Sequence, residues 1–180
     1  MQILARFFSR LTLLALFVLV GVVLWDRFAP MTAPPVMEPI TGQIDRIVVE
    51  KSARTLTVFR EGEAVKTYKV ALGFAPKGDK TVEGDGKTPE GVFKITHRNP
   101  KSAYHLSLGI DYPQLDDIAR AEAAGVRPGG DIFIHGQPNG SGRFVTIPYD
   151  WTAGCIAVSD DEIEELWAIT PDGTEVEILP

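Results

Sequence analysis

Residues 11–25, LTLLALFVLVGVVLW, contain no charged side chain and follow Arg6 and Arg10. No other feature constrains the chain more, because a run this apolar has no place on the surface of a water-soluble domain. Extended back over Phe7 and Phe8 it nearly reaches the ~20 residues a spanning helix needs. The arginines set its leading end in the cytoplasm, and Trp25 suits the interface at its far end. The expectation is a signal-anchor over residues 1–28, with residues 7–25 in the inner membrane. The alternative is a signal peptide cleaved near the small residues Ala29 or Ala33, which would release a secreted protein. Either way the remainder is exported, to the periplasm or another extracytoplasmic space.

Residues 29–43 hold four prolines and almost no charge, an extended linker. A single domain of ordinary size is expected over residues 44–180. Of 18 Lys+Arg and 24 Asp+Glu, only Arg6, Arg10, Arg27 and Asp26 precede residue 29, so the exported part is more acidic than the chain's net −6. That balance argues against nucleic acid as a partner.

The pattern from residue 44 onward is mainly β. Residues 44–50, 55–60 and 64–72 are rich in Val, Ile, Thr and Phe, with Glu61-Gly62-Glu63 as the turn of a hairpin. Residues 92–96, 104–110, 131–134 and 174–179 read as further strands. Residues 113–124 predict a short amphipathic helix with Leu115, Ile118 and Ala119 on its apolar side, ended by Gly125. Ser159 and Glu162 make a capping box for a second helix over residues 160–169. Residues 73–91 carry five glycines, two prolines and three lysines without apolar periodicity, a long loop of the kind that is functional or mobile.

Cys155 is the one cysteine in the chain. It has no partner for an internal disulfide, and an unpaired thiol in an oxidising compartment calls for a use. A small buried side chain is the bland reading. The chemical reading needs a base, because a thiol with pKa near ~8.5 is mostly protonated at neutral pH. His97, His105 and His135 are the candidates. His135 ends an apolar strand and precedes Gly136, whose backbone carbonyl could hold the imidazole tautomer. Gly154, just before the thiol, leaves room for a substrate backbone and for peptide N–H groups facing a reacting carbonyl. The histidines and Cys155 show no metal-ligand spacing, and no phosphate-binding loop or Ser nucleophile elbow is present.

His135-Gly136 followed by Thr152-Ala153-Gly154-Cys155 resembles the His-Gly and [Ser/Thr]-x-Gly-Cys signature of the L,D-transpeptidase catalytic domain (YkuD type). Gly86-Lys87-Thr88-Pro89-Glu90-Gly91-Val92-Phe93 is similar to that family's G-x-x-T-P-x-G-x-[FY] segment, and residues 47–72 resemble its opening strands. The resemblance implies a β-sandwich-like fold acting on peptidoglycan stem peptides without metal or organic cofactor. Cys155 would be the nucleophile and His135 the general base, oriented by the Gly136 carbonyl, with backbone N–H groups around Gly154 and Cys155 as oxyanion donors. A thioester formed on a stem tetrapeptide would pass to an amine of a neighbouring stem or of an envelope lipoprotein. Thr152 and Ala153 would border the substrate. Ala153 and Ala157 stand where many members carry His and Arg or Asn, so Arg98 or His105 is expected to supply polar contacts in the cleft. The same Cys155–His135 pair could instead serve a hydrolase, an L,D-carboxypeptidase or amidase. A peptidoglycan-binding module without activity is a third reading, against which both residues being intact speaks.

Overall fold

The computed structural model describes residues 16–21, 40–140, 142 and 144–180. Residues 16–21 are helical and belong to a unit, Met1–Glu38, separate from the domain Pro39–Pro180. Most of the expected anchor lies outside the described residues, among which no helix is long and apolar enough to cross a membrane.

In the domain, eight strands form one continuous mixed sheet: β1 (Arg46–Glu50), β2 (Thr55–Arg60), β3 (Glu63–Lys69), β4 (Gly91–Ser102), β5 (His105–Ile110), β6 (Phe133–His135), β7 (Ile156–Ala157) and β8 (Glu175–Leu179). Their order is β3-β2-β1-β8-β4-β5-β6-β7. Two helices, α1 (Leu115–Ala123) and α2 (Asp160–Ile169), complete the fold. The mainly β character is as expected. The two halves of the sheet are joined through β4, which pairs with β8 at its start and β5 at its end, with register shifts between Ile95 and His97 and between Asn99 and Ser102. Such irregularities bend a strand, and they let one long strand serve both halves.

Alternation on the strands builds the core. Ile47 and Val49 of β1 lie opposite Val58 and Leu56 of β2 and beside Val176 and Ile178 of β8, all buried. Ile163, Leu166 and Ile169 of α2 join the same cluster. The capping box of α2 forms as expected: Ser159 Oγ accepts from Glu162 N–H, and the Glu162 carboxylate accepts from Ser159 N–H at 2.8 Å. Helix α1 differs from its expected pattern. Gln114 caps it, so Leu115 falls in the first turn and is 83% exposed, and Ala121 is its buried residue.

The sheet's two edge strands, β3 and β7, meet. Just beyond β3, Ala71 pairs antiparallel with Ala157 of β7, each N–H donating to the other's carbonyl at 2.9 and 2.8 Å. Gly73 pairs in parallel with Thr152, and Phe74 N–H donates to the Thr152 carbonyl at 2.9 Å. Joined edges leave fewer unpaired backbone groups. Residues 152–157 are thus fastened at both ends to residues 71–74, and Cys155 sits in that seam.

Candidate active site

His135 ends β6, and Cys155 immediately precedes β7. These strands are parallel, with Ile134 opposite Ile156 and His135 opposite Ala157. Carrying the register back one residue sets Cys155 beside Phe133. Side chains alternate along a strand, so Cys155 and His135 project on the same side, offset by two residues. Both line one cavity of about 280 Å³ with Asn99, Ser102, Tyr104 and Asp131. That is just below the roughly 300–1,000 Å³ of ordinary ligand pockets, room for one small part of a ligand rather than for a large one.

Three backbone segments hold the thiol in place. Gly154 has φ +138°, and a Cβ there would lie 2.7 Å from the Lys87 carbonyl oxygen. A Cβ on Gly73 would lie 2.2 Å from the Gly86 carbonyl oxygen and 3.1 Å from Gly154 Cα. Only glycine allows these approaches. Thr88, fully buried, accepts from Gly73 N–H at 3.1 Å. The Gly86-Lys87-Thr88 segment therefore buttresses the cysteine turn from below. Lys51, buried, donates to the carbonyls of Gly78 and Thr88 and to the Glu90 carboxylate at 2.7–2.9 Å, tying residues 78–90 to the end of β1. Thr152 closes the turn itself: its Oγ1 donates to the Cys155 carbonyl at 2.7 Å and accepts from Gly154 N–H at 3.1 Å. Asp150, bound by Arg54, accepts from Leu72 N–H at 2.9 Å and clamps the start of the turn.

The imidazole is held in one tautomer. His135 Nδ1 donates to the Gly136 carbonyl at 2.7 Å, which leaves the Nε2 lone pair to take a proton. Burial pushes His135 below its ordinary 6.5, against the opposing pull of the Gly136 carbonyl. Burial pushes the Cys155 thiol above its ordinary value, and Asp131 adds to this, while the Phe133 N–H and the Lys80 charge pull it down. At rest the thiol donates to the Asp131 carbonyl at 3.4 Å. The pair is therefore neutral thiol and neutral imidazole around pH 7.

The other sequence candidates fall as follows. Gly154 N–H donates to Thr152 Oγ1 at 3.1 Å, whereas Cys155 N–H makes no hydrogen bond among the described residues. Ala153 is exposed at the tip of the turn. Arg98 does not enter the cavity: it donates to the carbonyls of Trp167 and Thr170 at 2.7 and 2.6 Å and lies over the Trp167 ring, where it neutralises the C-terminal end of α2. His105 does not enter it either. Its Nε2 is 2.7 Å from Glu164, in a separate polar cavity with Asp160 and Asp161. His97 packs edge-on against Phe133 in an adjoining cavity with Tyr112 and Asp131. Among the described residues no cluster of three or more His, Cys, Asp or Glu is placed to hold a metal. Tyr104 and Trp151, not among the sequence candidates, stand against His135 with ring centroids at 4.6 and 5.6 Å. An aromatic residue at a strand start carries no local mark of that contact.

Residues 44–178 match the L,D-transpeptidase catalytic domain, YkuD. The chain belongs to this family. Among curated relatives of this L,D-transpeptidase domain, the protein assigned as YkuD in Bacillus licheniformis is 31% identical over 140 residues, covering 75% of this chain and 66% of that protein. YafK of Escherichia coli K12, also assigned as an L,D-transpeptidase, is 25% identical over 136 residues, covering 72% of this chain and 48% of its own length. The chain thus spans about half to two thirds of these relatives. Among solved structures, the helical cell shape determining protein Pgp2 of Campylobacter jejuni is 26% identical with a TM-score of 0.59, over 77% of this chain and 48% of that one.

Proposed function

We propose that this chain is a cysteine-dependent L,D-transpeptidase that acts on peptidoglycan stem tetrapeptides in cell-wall remodelling. The observation that carries the reading is the pairing, in one cavity of a domain of this family, of Cys155 with a His135 whose Nδ1 is tied to Gly136. In the first half-reaction the Cys155 S–H bond breaks as His135 Nε2 takes the proton, and the thiolate attacks the carbonyl of the stem's L-centre residue. The tetrahedral oxyanion takes the Cys155 N–H as donor. Collapse breaks the C–N bond, His135 returns the proton to the leaving amine, and D-alanine departs from a thioester. In the second half-reaction an acceptor amine loses a proton to His135, attacks the thioester carbonyl and regenerates the thiol. The acceptor is an amine of a neighbouring stem or an envelope lipoprotein. Residues 7–25 hold the enzyme at the outer face of the inner membrane, where its acidic domain meets stem peptides.

The buried imidazole and the half-buried thiol, both desolvated, support this order of events. A neutral pair stays inert towards solvent and transfers its proton only when a carbonyl and its developing charge are in place. The test is purified protein with disaccharide-tetrapeptide, products followed by mass spectrometry. A cross-linked dimer with D-alanine release is expected. A tripeptide alone would replace transferase by hydrolase, and no product would overturn the enzymatic reading.

A further inference from the structure

His135 is enclosed by two rings that the mechanism above does not use. Tyr104 is stacked on the imidazole at 4.6 Å with the planes 28° apart. Trp151 meets it edge to face at 5.6 Å and 67°, and the two rings contact each other at 5.6 Å. Both are fixed to the backbone that fixes the reacting pair. Gly136, whose carbonyl holds His135 Nδ1, donates its own N–H to the Tyr104 carbonyl at 3.1 Å. Tyr104 N–H donates to Ser102 Oγ at 3.0 Å. Trp151 lies between Asp150, clamped by Arg54, and Thr152, which closes the cysteine turn. The indole N–H is buried with no hydrogen-bond partner among the described residues.

We propose that Tyr104 and Trp151 are positioning residues that form an aromatic clamp, holding the His135 ring in plane for Cys155 and sharing the positive charge the imidazole gains. The inference rests on the transpeptidase reading for its catalytic consequence, not for the clamp itself. Stacked against the negative face of a π system, an imidazolium is favoured over a neutral imidazole. In a buried site that disfavours the cation, this contact lowers the cost of moving the proton from sulfur to Nε2. Burial alone gives His135 a poor base; the rings restore part of its basicity without adding a carboxylate. The titratable groups around His135 are few. Cys155 and Asp131 face it across the cavity, with Tyr104 on its face. From α2, which packs on β6, Asp160 is engaged by Gln137 N–H and Glu164 by His105. From β5, its register partner is Ser107.

The test is the titration of His135 by NMR in the full-length chain with labelled histidine, assigned with His135→Gln, alongside the pH profile of D-alanine release. Tyr104→Leu is expected to lower the His135 midpoint by about one pH unit and kcat by about tenfold, with KM within about twofold. The acid limb of the profile moves to lower pH, because a weaker base stays neutral further into acid. Tyr104→Phe keeps the ring and restores both midpoint and rate. An unchanged midpoint in Tyr104→Leu overturns the clamp, as does a Tyr104→Phe protein as impaired as the leucine variant. A change in KM alone would make Tyr104 a wall of the cavity and also overturn it. If Tyr104→Leu does not fold, Trp151→Leu against Trp151→Phe makes the same comparison, and the same outcomes support or overturn the clamp. Should the wild type release no D-alanine, the transpeptidase reading fails while the titration still decides the clamp.

Discussion

At the scale of single residues, the proposed chemistry depends on a pair kept neutral by desolvation. Cys155 is raised above its ordinary value and His135 lowered below its own, both chiefly by desolvation. The alkylation rate of Cys155 by iodoacetamide is therefore expected to climb with pH through and beyond 9, with no plateau in acid. A fast, pH-independent rate below pH 6 would show a preformed thiolate–imidazolium pair and contradict the geometry described. Gly154→Ala is expected to lower stability by about 1–3 kcal/mol and to remove activity, since its φ and the Lys87 carbonyl both exclude a side chain. Thermal unfolding and D-alanine release measure the two effects. His135 and Cys155 were legible in the sequence because motif order carries them. Arg98 and His105 were misplaced because a charge count does not say which face of β4 or β5 a side chain leaves. Tyr104 and Trp151 were invisible because their role lies in ring contacts between residues far apart in sequence.

At the scale of elements, residues 73–90 are a buttress and not a free loop. Their glycines and Thr88 lock against the cysteine turn, and Lys51 secures them from β1. Lys51→Met leaves Glu90 without its partner and two carbonyls without a donor. We expect a loss of about 3 kcal/mol in urea denaturation, with proteolytic cleavage between residues 76 and 90 in the native state. Stability within about 0.5 kcal/mol of wild type would mean that the buttress does not depend on this tether. Strands β1, β2 and β3 and helix α2 were readable from alternation and the Ser159–Glu162 box. Strand β7 was not: it has two residues, too short for any period, and exists because β6 and the Ala71 segment pair with it. The full length of β4 was hidden for a related reason, since its irregular register breaks the alternation that would reveal it.

For the whole molecule, the seam between the sheet's edges makes the site and the fold one cooperative structure. Acid should dissolve it in a defined window. Burial alone would raise Asp85, but Lys80 and the N–H groups of Thr81, Lys87 and Val82 hold its carboxyl down to about 2 from 3.8. Its stabilising share is fully present above pH 3.8 and is lost as pH falls towards 2. Glu165, lowered by Lys66, Tyr68 and Ile40 against burial, changes in the same direction. The melting temperature of wild type is expected to fall through this range and that of Asp85→Asn to fall less steeply. Equal slopes would remove Asp85 as a cause.

The proposed activity stands on covalent chemistry at Cys155 with a stem peptide, and intact-protein mass spectrometry after rapid acid quench with disaccharide-tetrapeptide detects it. A mass gain equal to the donor minus D-alanine is expected, located on Cys155, absent from Cys155→Ala, and discharged when an acceptor amine is added. Turnover by Cys155→Ala at the wild-type rate, or wild-type turnover with the adduct on another residue, would contradict it.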